Sequence, residues 1–135
     1  MKINIILADN RFKIHQKSLN TLARKVLRGE NAGEKSLNII YCSDSRMTML
    51  NHEFKKKNVP TDVLAFGFDD ENDPDFIGEV YINLQQAARQ AKDYNENYNI
   101  EIERLTVHGI LHLLGYMDKA KSERVRMWAR QEGYL

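Results

Sequence analysis

The chain has 135 residues, of which 42% are hydrophobic and 29% are charged, and this size and composition predict one globular domain over residues 1–135. The formal net charge of +1 excludes a protein that binds polyanions through its overall charge, so any contact with nucleic acid must come from local clusters of Lys and Arg. A single cysteine, Cys42, excludes an internal disulfide, and no apolar run approaches the roughly 20 residues of a membrane span, so we expect a cytoplasmic protein.

The first half of the chain is predicted to alternate strands and helices. Residues 3–7 and 36–41 are apolar runs of strand length, and apolar residues at helical spacing between them predict a helix over 14–27. Either Ser43 or Ser45 can cap a further helix that ends near residue 54. A strand, a helix and a second strand in this order favour a parallel pair of strands joined by a right-handed crossover.

The second half is predicted to form a hairpin followed by three helices. The strands are 61–68 and 76–83, joined by an acidic turn over 69–75, and the helices are 84–94, 100–114 and 122–131. Gly115 ends the middle helix, because glycine readily adopts the left-handed backbone with which many helices end. The whole pattern predicts an α+β fold with a mixed four-stranded sheet covered by helices.

A metal site is predicted on the 100–114 helix and in the glycine turn after it. His108 and His112 are four residues apart, so both imidazoles lie on one helical face with their Cβ atoms about 5–6 Å apart. Both can reach one ion, and the turn at Gly115 returns Asp118 as a third ligand. Three protein ligands leave one position open, which is typical of a catalytic centre. We expect Zn²⁺ in this site, with another divalent metal as the alternative.

Two other classes of metalloenzyme share parts of this pattern. Zincin peptidases carry a glutamate directly after the first histidine as the general base, and Gly109 holds that position here, which disfavours a peptidase. Non-haem iron oxygenases also use two histidines and a carboxylate. Their usual His and Asp pair, two residues apart on a strand, does not match a pair of histidines four residues apart on a helix.

Three segments of the chain resemble the YbeY family of bacterial endoribonucleases and ribosomal-RNA maturation factors. The run HGILHLLGYMD at 108–118 follows the family pattern His-Gly-x-Leu-His-Leu-x-Gly-Tyr-Asp-His. The pair Leu50-Asn51, a basic loop and PTDVLAF at 60–66 form the second match, and GEVYI at 78–82 with the Ala-rich helix after it forms the third. The matches occur in the family's order and cover most of the chain.

The resemblance implies a zinc-dependent endoribonuclease that cleaves single-stranded RNA, with no action on DNA. It also implies roles in 3′-end maturation of 16S ribosomal RNA and in ribosome quality control, so ribosomal RNA and the small ribosomal subunit are the expected partners. The implied fold is an α+β domain with a mixed sheet and with zinc in a cleft. The alternative is a non-catalytic, ribosome-associated RNA-binding factor whose metal is structural.

The chain departs from the family pattern at three positions. Asp118 stands where the family has a third histidine, which lowers the charge of a divalent centre from about +2 to about +1 and favours harder metals. Lys55 stands at the family's arginine, so a point charge replaces a bidentate fork that would orient a phosphate. Ala65 stands at the family's serine.

Basic residues on both sides of the predicted centre are assigned to the RNA. Lys55, through its motif position, is the expected catalytic residue that holds the scissile phosphate. Lys119 and Lys121 follow the third ligand and are expected to bind the RNA backbone. Met127 and Trp128 have core-like spacing in the last helix, so we expect both to pack against the metal helix and neither to stack on bases.

Overall fold

The computed structural model describes residues 2–55 and 61–135, without the side chain of Lys55. Within these residues the chain forms four strands and five helices. In chain order they are β1 (Ile3–Leu7), α1 (Gln16–Gly29), β2 (Ser36–Cys42), α2 (Asp44–Lys55), β3 (Val63–Gly67), β4 (Phe76–Asn83), α3 (Leu84–Asp93), α4 (Tyr98–Leu113) and α5 (Lys121–Gly133). None of the described helices combines the length and the apolar composition that crossing a bilayer requires.

The four strands form one mixed sheet in the order β1-β2-β4-β3. β1 runs parallel to β2, and β2 runs parallel to β4, with Ile39 opposite Ile5 on one side and Val80 on the other. β3 pairs with β4 in the antiparallel sense. The structure therefore confirms the α+β class, the parallel opening pair and the hairpin that the sequence predicts.

Helix α4, which carries both histidines, lies in the main core against the sheet and between α1, α3 and α5. Val107, Ile110 and Leu111 are fully buried on it. Gly109 lies on the face that meets β4, where a Cβ would come within 2.3 Å of Val80 Cγ1. The absence of a side chain at residue 109 thus lets the helix approach the sheet closely, which fixes its position and orientation.

Specific residues define where α4 begins and where it ends. The Oδ1 atom of Asn97 accepts hydrogen bonds from the backbone N–H groups of Asn99 (2.8 Å) and Ile100 (3.3 Å), so the helix begins at Tyr98, two residues before the predicted start. At the other end Gly115 has φ of +102°, in the left-handed region, and its N–H donates to the carbonyl of His112 at 3.0 Å. The glycine turn predicted from the sequence is therefore present.

Candidate metal centre

The structure brings His108, His112 and Asp118 together at the end of α4. The two histidine Nε2 atoms lie 3.1 Å apart, one helical turn from each other. Asp118 Oδ2 lies 3.2 Å from His112 Nε2 and 4.0 Å from His108 Nε2. One ligand atom from each side chain thus falls within 4.8 Å of the others.

The hydrogen bonds of the two imidazoles indicate which ring nitrogens carry protons. His112 Nδ1 lies 3.0 Å from the carbonyl oxygen of Tyr116, which can only accept. His108 Nδ1 lies 2.7 Å from Oε1 of Gln131, whose Nε2 donates to Glu132 at 3.2 Å. Both Nδ1 atoms are therefore donors in the neutral rings, which leaves an unprotonated Nε2 on each histidine.

The resulting donor set fits a divalent cation. Two nitrogen lone pairs that face each other at 3.1 Å, beside a carboxylate, repel unless a positive charge lies between them. Ligand atoms at the usual zinc distance in a tetrahedral site are separated by about 3.3 Å, close to the spacing of the two nitrogens and of His112 with Asp118. A hydrogen bond on the far nitrogen of each histidine is the usual arrangement around protein-bound metals.

The centre is partly buried and partly open to solvent. The side chains of His108 and His112 are 28% and 27% exposed, whereas that of Asp118 is 45% exposed. Burial lowers the pKa of His108, with a smaller contribution in the same direction from His112, although the hydrogen bond that His108 donates to Gln131 opposes it. His108 is therefore neutral at physiological pH, which is the form that coordinates a metal.

A buried carboxylate anchors the turn that orients His112. Glu30, at the end of α1, accepts hydrogen bonds from the hydroxyls of Tyr116 (2.6 Å) and Tyr134, and it forms an ion pair with Arg130 at 2.6 Å. Burial alone would raise the pKa of Glu30, but these three donors together lower it. The same Tyr116 supplies the carbonyl that fixes His112, so α1 and α5 support the metal ligand through one residue.

Two clefts meet at His108. A cleft of about 230 Å³ lies on the side of α3, and a smaller cleft of about 170 Å³ lies between Asp118 and Arg124. Trp128 and Gln131 line both of them. The metal centre therefore has open space on two sides, as a site for an extended ligand requires.

The expectation for Trp128 was wrong. Met127 is 1% exposed and packs in the core as predicted, but Trp128 is 57% exposed and faces the clefts. Met127 and Gln131 are four residues apart and both buried, so they define the face of α5 that packs on the core. Residue 128 therefore lies at the edge of that face. The i, i+4 pair in the sequence could have indicated this placement.

The predicted basic residues stand apart from the three ligands. The side chain of Lys55 lies outside the described residues, so its assignment stays a prediction. Lys119 and Lys121 are exposed, and neither contributes to the lining of the two clefts. Arg124 does line the cleft beside Asp118, with Nη1 held by the carbonyl of Lys119 at 2.6 Å.

Several residues of the centre could not be found from local sequence patterns. Glu30 and Gln131 lie 86 residues before Tyr116 and 23 residues after His108, and only the folded chain brings them to these partners. The structure also explains why residue 109 is not the glutamate of zincin peptidases. Gly109 packs on Val80, which leaves no room for a glutamate side chain. A general base of the peptidase type is thus excluded at this position.

Known proteins with similar sequences and structures identify the family. The family model described as endoribonuclease YbeY matches residues 4–135. Endoribonuclease YbeY of Carboxydothermus hydrogenoformans is 41% identical over 96 residues, which are 71% of this chain and 66% of the relative. Endoribonuclease YbeY of Chlorobium limicola is 31% identical over 130 residues, which are 96% of this chain and 89% of the relative.

The fold agrees with a solved structure. A Thermotoga maritima protein determined in solution superposes with a TM-score of 0.71 and 27% sequence identity, over 98% of this chain and 85% of that protein. The family match thus extends over almost the whole sequence and includes the histidine helix, its glycine turn and the strands beneath it. On these grounds, the chain belongs to the YbeY family of endoribonucleases.

Proposed function

We propose that the protein is a cytoplasmic, zinc-dependent endoribonuclease that cleaves single-stranded RNA. We further propose that it matures the 3′ end of 16S ribosomal RNA and acts in ribosome quality control on the small subunit. The family membership supports RNA cleavage, since the relatives are named endoribonucleases. The ribosomal role and the identity of the metal are inferred from the resemblance of the motifs.

One observation carries the catalytic part of the proposal. His108, His112 and Asp118 present three donor atoms to one point that has open space on two sides. A purely structural metal site is normally closed by four protein ligands. Three ligands beside clefts instead leave room for water and for a phosphate of the substrate, which favours an enzyme over the non-catalytic alternative.

The residues of the candidate centre have separate roles: three would bind the metal and two orient the histidine rings. When bound, a divalent metal supplies Lewis acidity, which activates water and stabilises negative charge on a phosphoryl group. His108 and His112 would hold it through Nε2, and Gln131 and the Tyr116 carbonyl keep both rings in the required tautomer. Asp118 would be the third ligand, and its carboxylate would reduce the net positive charge of the metal-bound site.

The cleft beside Asp118 is suited to a phosphate group. Arg124 lines it, and its guanidinium retains donors beyond the one that holds the Lys119 carbonyl. We propose that Arg124 binds the phosphate from this side and that Lys55, assigned through its motif position, also binds it. Lys119 and Lys121 would contact the RNA backbone further away, where exposed cations contribute through salt-dependent attraction.

The experiment is a cleavage assay on one RNA sequence in single-stranded and fully paired forms, with metal content measured on the same preparations. We expect the wild type to cleave the single strand, to lose activity on chelation and to regain it with Zn²⁺. His112→Ala should lose metal and activity, whereas His15→Ala, which removes an exposed imidazole on the surface, should keep both. A wild type that holds metal but leaves every single strand intact would overturn the nuclease assignment.

The ribosomal role needs a separate measurement. In a bacterial strain that lacks its own family member, the wild-type chain should restore the mature 3′ end of 16S ribosomal RNA, mapped by sequencing of RNA ends. His112→Ala, expressed at the same level, should leave the precursor unprocessed. Equal rescue by both forms would instead favour the non-catalytic RNA-binding factor.

A further inference from the structure

The larger cleft beside the metal centre is formed where α3, α4 and α5 meet the start of β3. Besides His108 and Gln131 of the metal centre, its lining includes Asp62, Gln90, Tyr94, Glu101, Arg104 and Trp128. Its volume of about 230 Å³ is below the range of about 300–1,000 Å³ that is typical of pockets for drug-sized ligands. The cleft thus suits a single ring system, directly beside a metal ligand.

Two aromatic side chains line this cleft and are largely exposed. Trp128 is 57% exposed and Tyr94 is 71% exposed, although large aromatic side chains usually bury most of their surface. Aromatic faces in the path of a single strand are the usual platform for unstacked bases. Exposure of both residues in one cleft that adjoins the metal centre points to a planar partner.

A fixed cation lies against the ring of Trp128. The Arg104 guanidinium lies 5.7 Å from the centre of the Trp128 ring. Its position is set by two hydrogen bonds to Glu132, at 2.9 and 3.0 Å, and by one to Glu101 at 2.7 Å. Because these carboxylates occupy the guanidinium, Arg104 is a scaffold for the ring and a poor binder of a further phosphate.

The charge of the cleft also favours a base over a phosphate. Its lining carries two carboxylates, Asp62 and Glu101, against one guanidinium, so an added phosphate would meet net negative charge. Glu101 uses both oxygens, on Arg104 and on Gln90. Within the described part of the chain, by contrast, no hydrogen bond reaches the Asp62 carboxylate, which can therefore accept from an amino group.

We propose that this cleft binds one amino-bearing nucleobase of a single-stranded RNA, stacked on Trp128 and hydrogen-bonded to Asp62. The inference rests on the proposed function and adds to it a site that selects the base next to the cleaved phosphate. Cytosine, adenine and guanine carry an exocyclic amino group and uracil does not. The site therefore favours the first three bases over uracil.

Trp128 is the single tryptophan of the chain, so its fluorescence reports on binding in the two clefts that it lines, and the Asp62 variant tests the larger cleft specifically. The probes are 2′-O-methyl oligocytidine, oligouridine of the same length, and an abasic chain with the same number of phosphates, none of which is cleaved. We expect oligocytidine to quench the fluorescence and to bind several-fold more tightly than oligouridine. The abasic chain should leave the fluorescence unchanged, because it has no ring to stack.

Variants separate stacking from hydrogen bonding. Trp128→Ala should weaken the binding of oligocytidine about tenfold, the usual size of one base stack, and Trp128→Phe should restore most of it. Asp62→Asn should remove the preference for cytidine over uridine. Phe68→Ala is the matched control, since it removes an exposed aromatic side chain that stacks on Phe76 in the hairpin and should bind as the wild type does.

The outcomes distinguish this site from the nuclease activity. Oligocytidine that binds, as measured by anisotropy, without quenching Trp128 and with equal affinity for Trp128→Ala would overturn the base site. Equal affinity for cytidine and uridine would overturn recognition by Asp62. Quenching that is retained while no RNA is cleaved would support the base site and contradict the proposed function instead. Cleavage at wild-type efficiency by Trp128→Ala, with no change in the preferred base, would overturn the base site alone.

Discussion

Gly109 of α4 lies directly against Val80 of β4, so that a Cβ on the glycine would come within 2.3 Å of Val80 Cγ1 and 3.2 Å of Val63 Cγ2. The histidine helix is thus set against the sheet at a distance that only glycine permits. His108, the preceding residue, projects from the same turn of this helix into the candidate metal centre. Adjacent residues therefore provide the close packing on one side of the helix and a candidate metal ligand on the other.

We expect Gly109→Ala to lower the free energy of unfolding by about 1–3 kcal/mol, although alanine is the better helix former. The added methyl group must displace Val80, which is fully buried. Urea unfolding measures this, with Gly133→Ala as the control, because nothing lies within 4 Å of a Cβ at residue 133. In the Val80→Ala background the penalty at residue 109 should shrink, and an unchanged penalty would show that the contact with Val80 is not its cause.

The fold and the grouping of the three candidate ligands could be predicted from the sequence, because the signals for both are local. The spacing of four positions from His108 to His112 places both on one helical face, and Gly115 in the left-handed region brings back Asp118. The residues that orient the two histidines could not be predicted from the sequence. Glu30 reaches the turn from 86 residues away, and no periodicity of the chain encodes that contact.

We expect Glu30→Gln to weaken metal binding about tenfold, within the range for loss of a group that orients a ligand. The neutral amide is a weaker acceptor for Tyr116 and for Arg130, so the Tyr116 carbonyl that orients His112 becomes less fixed. Competition with a chelator of known affinity measures the effect. Glu34→Gln, at an exposed carboxylate after α1, should bind metal as the wild type does. Equal metal affinity for Glu30→Gln and wild type would show that Glu30 has no role in positioning.

The lowered pKa of Glu30 also predicts how the free energy of unfolding depends on pH. Glu30 has a pKa below the ordinary glutamate value of 4.5, so the folded protein binds fewer protons there than the unfolded chain does. Its contribution is therefore fully present above pH 4.5 and is lost as the pH falls through the lowered pKa. Urea unfolding of metal-free protein at about pH 7 and about pH 4 should show a smaller loss for Glu30→Gln than for wild type. Identical losses would indicate that other carboxylates account for the acid sensitivity.

Substitution of Asp118, the candidate third ligand, should change which metal the protein prefers. Asp118→Ala leaves two imidazoles, so we expect it to bind Zn²⁺ at least about a hundredfold more weakly than the wild type. Asp118→His should retain Zn²⁺, because a third imidazole suits this ion and the turn at Gly115 already directs residue 118 to the centre. Mn²⁺ prefers a hard carboxylate oxygen, so Asp118→His should lose affinity for Mn²⁺ relative to Zn²⁺. Titrations of the metal-free wild type and both variants with each ion measure the ratio. If Asp118→Ala binds both ions as tightly as the wild type, the carboxylate is not a ligand, and the centre must be completed by a different group.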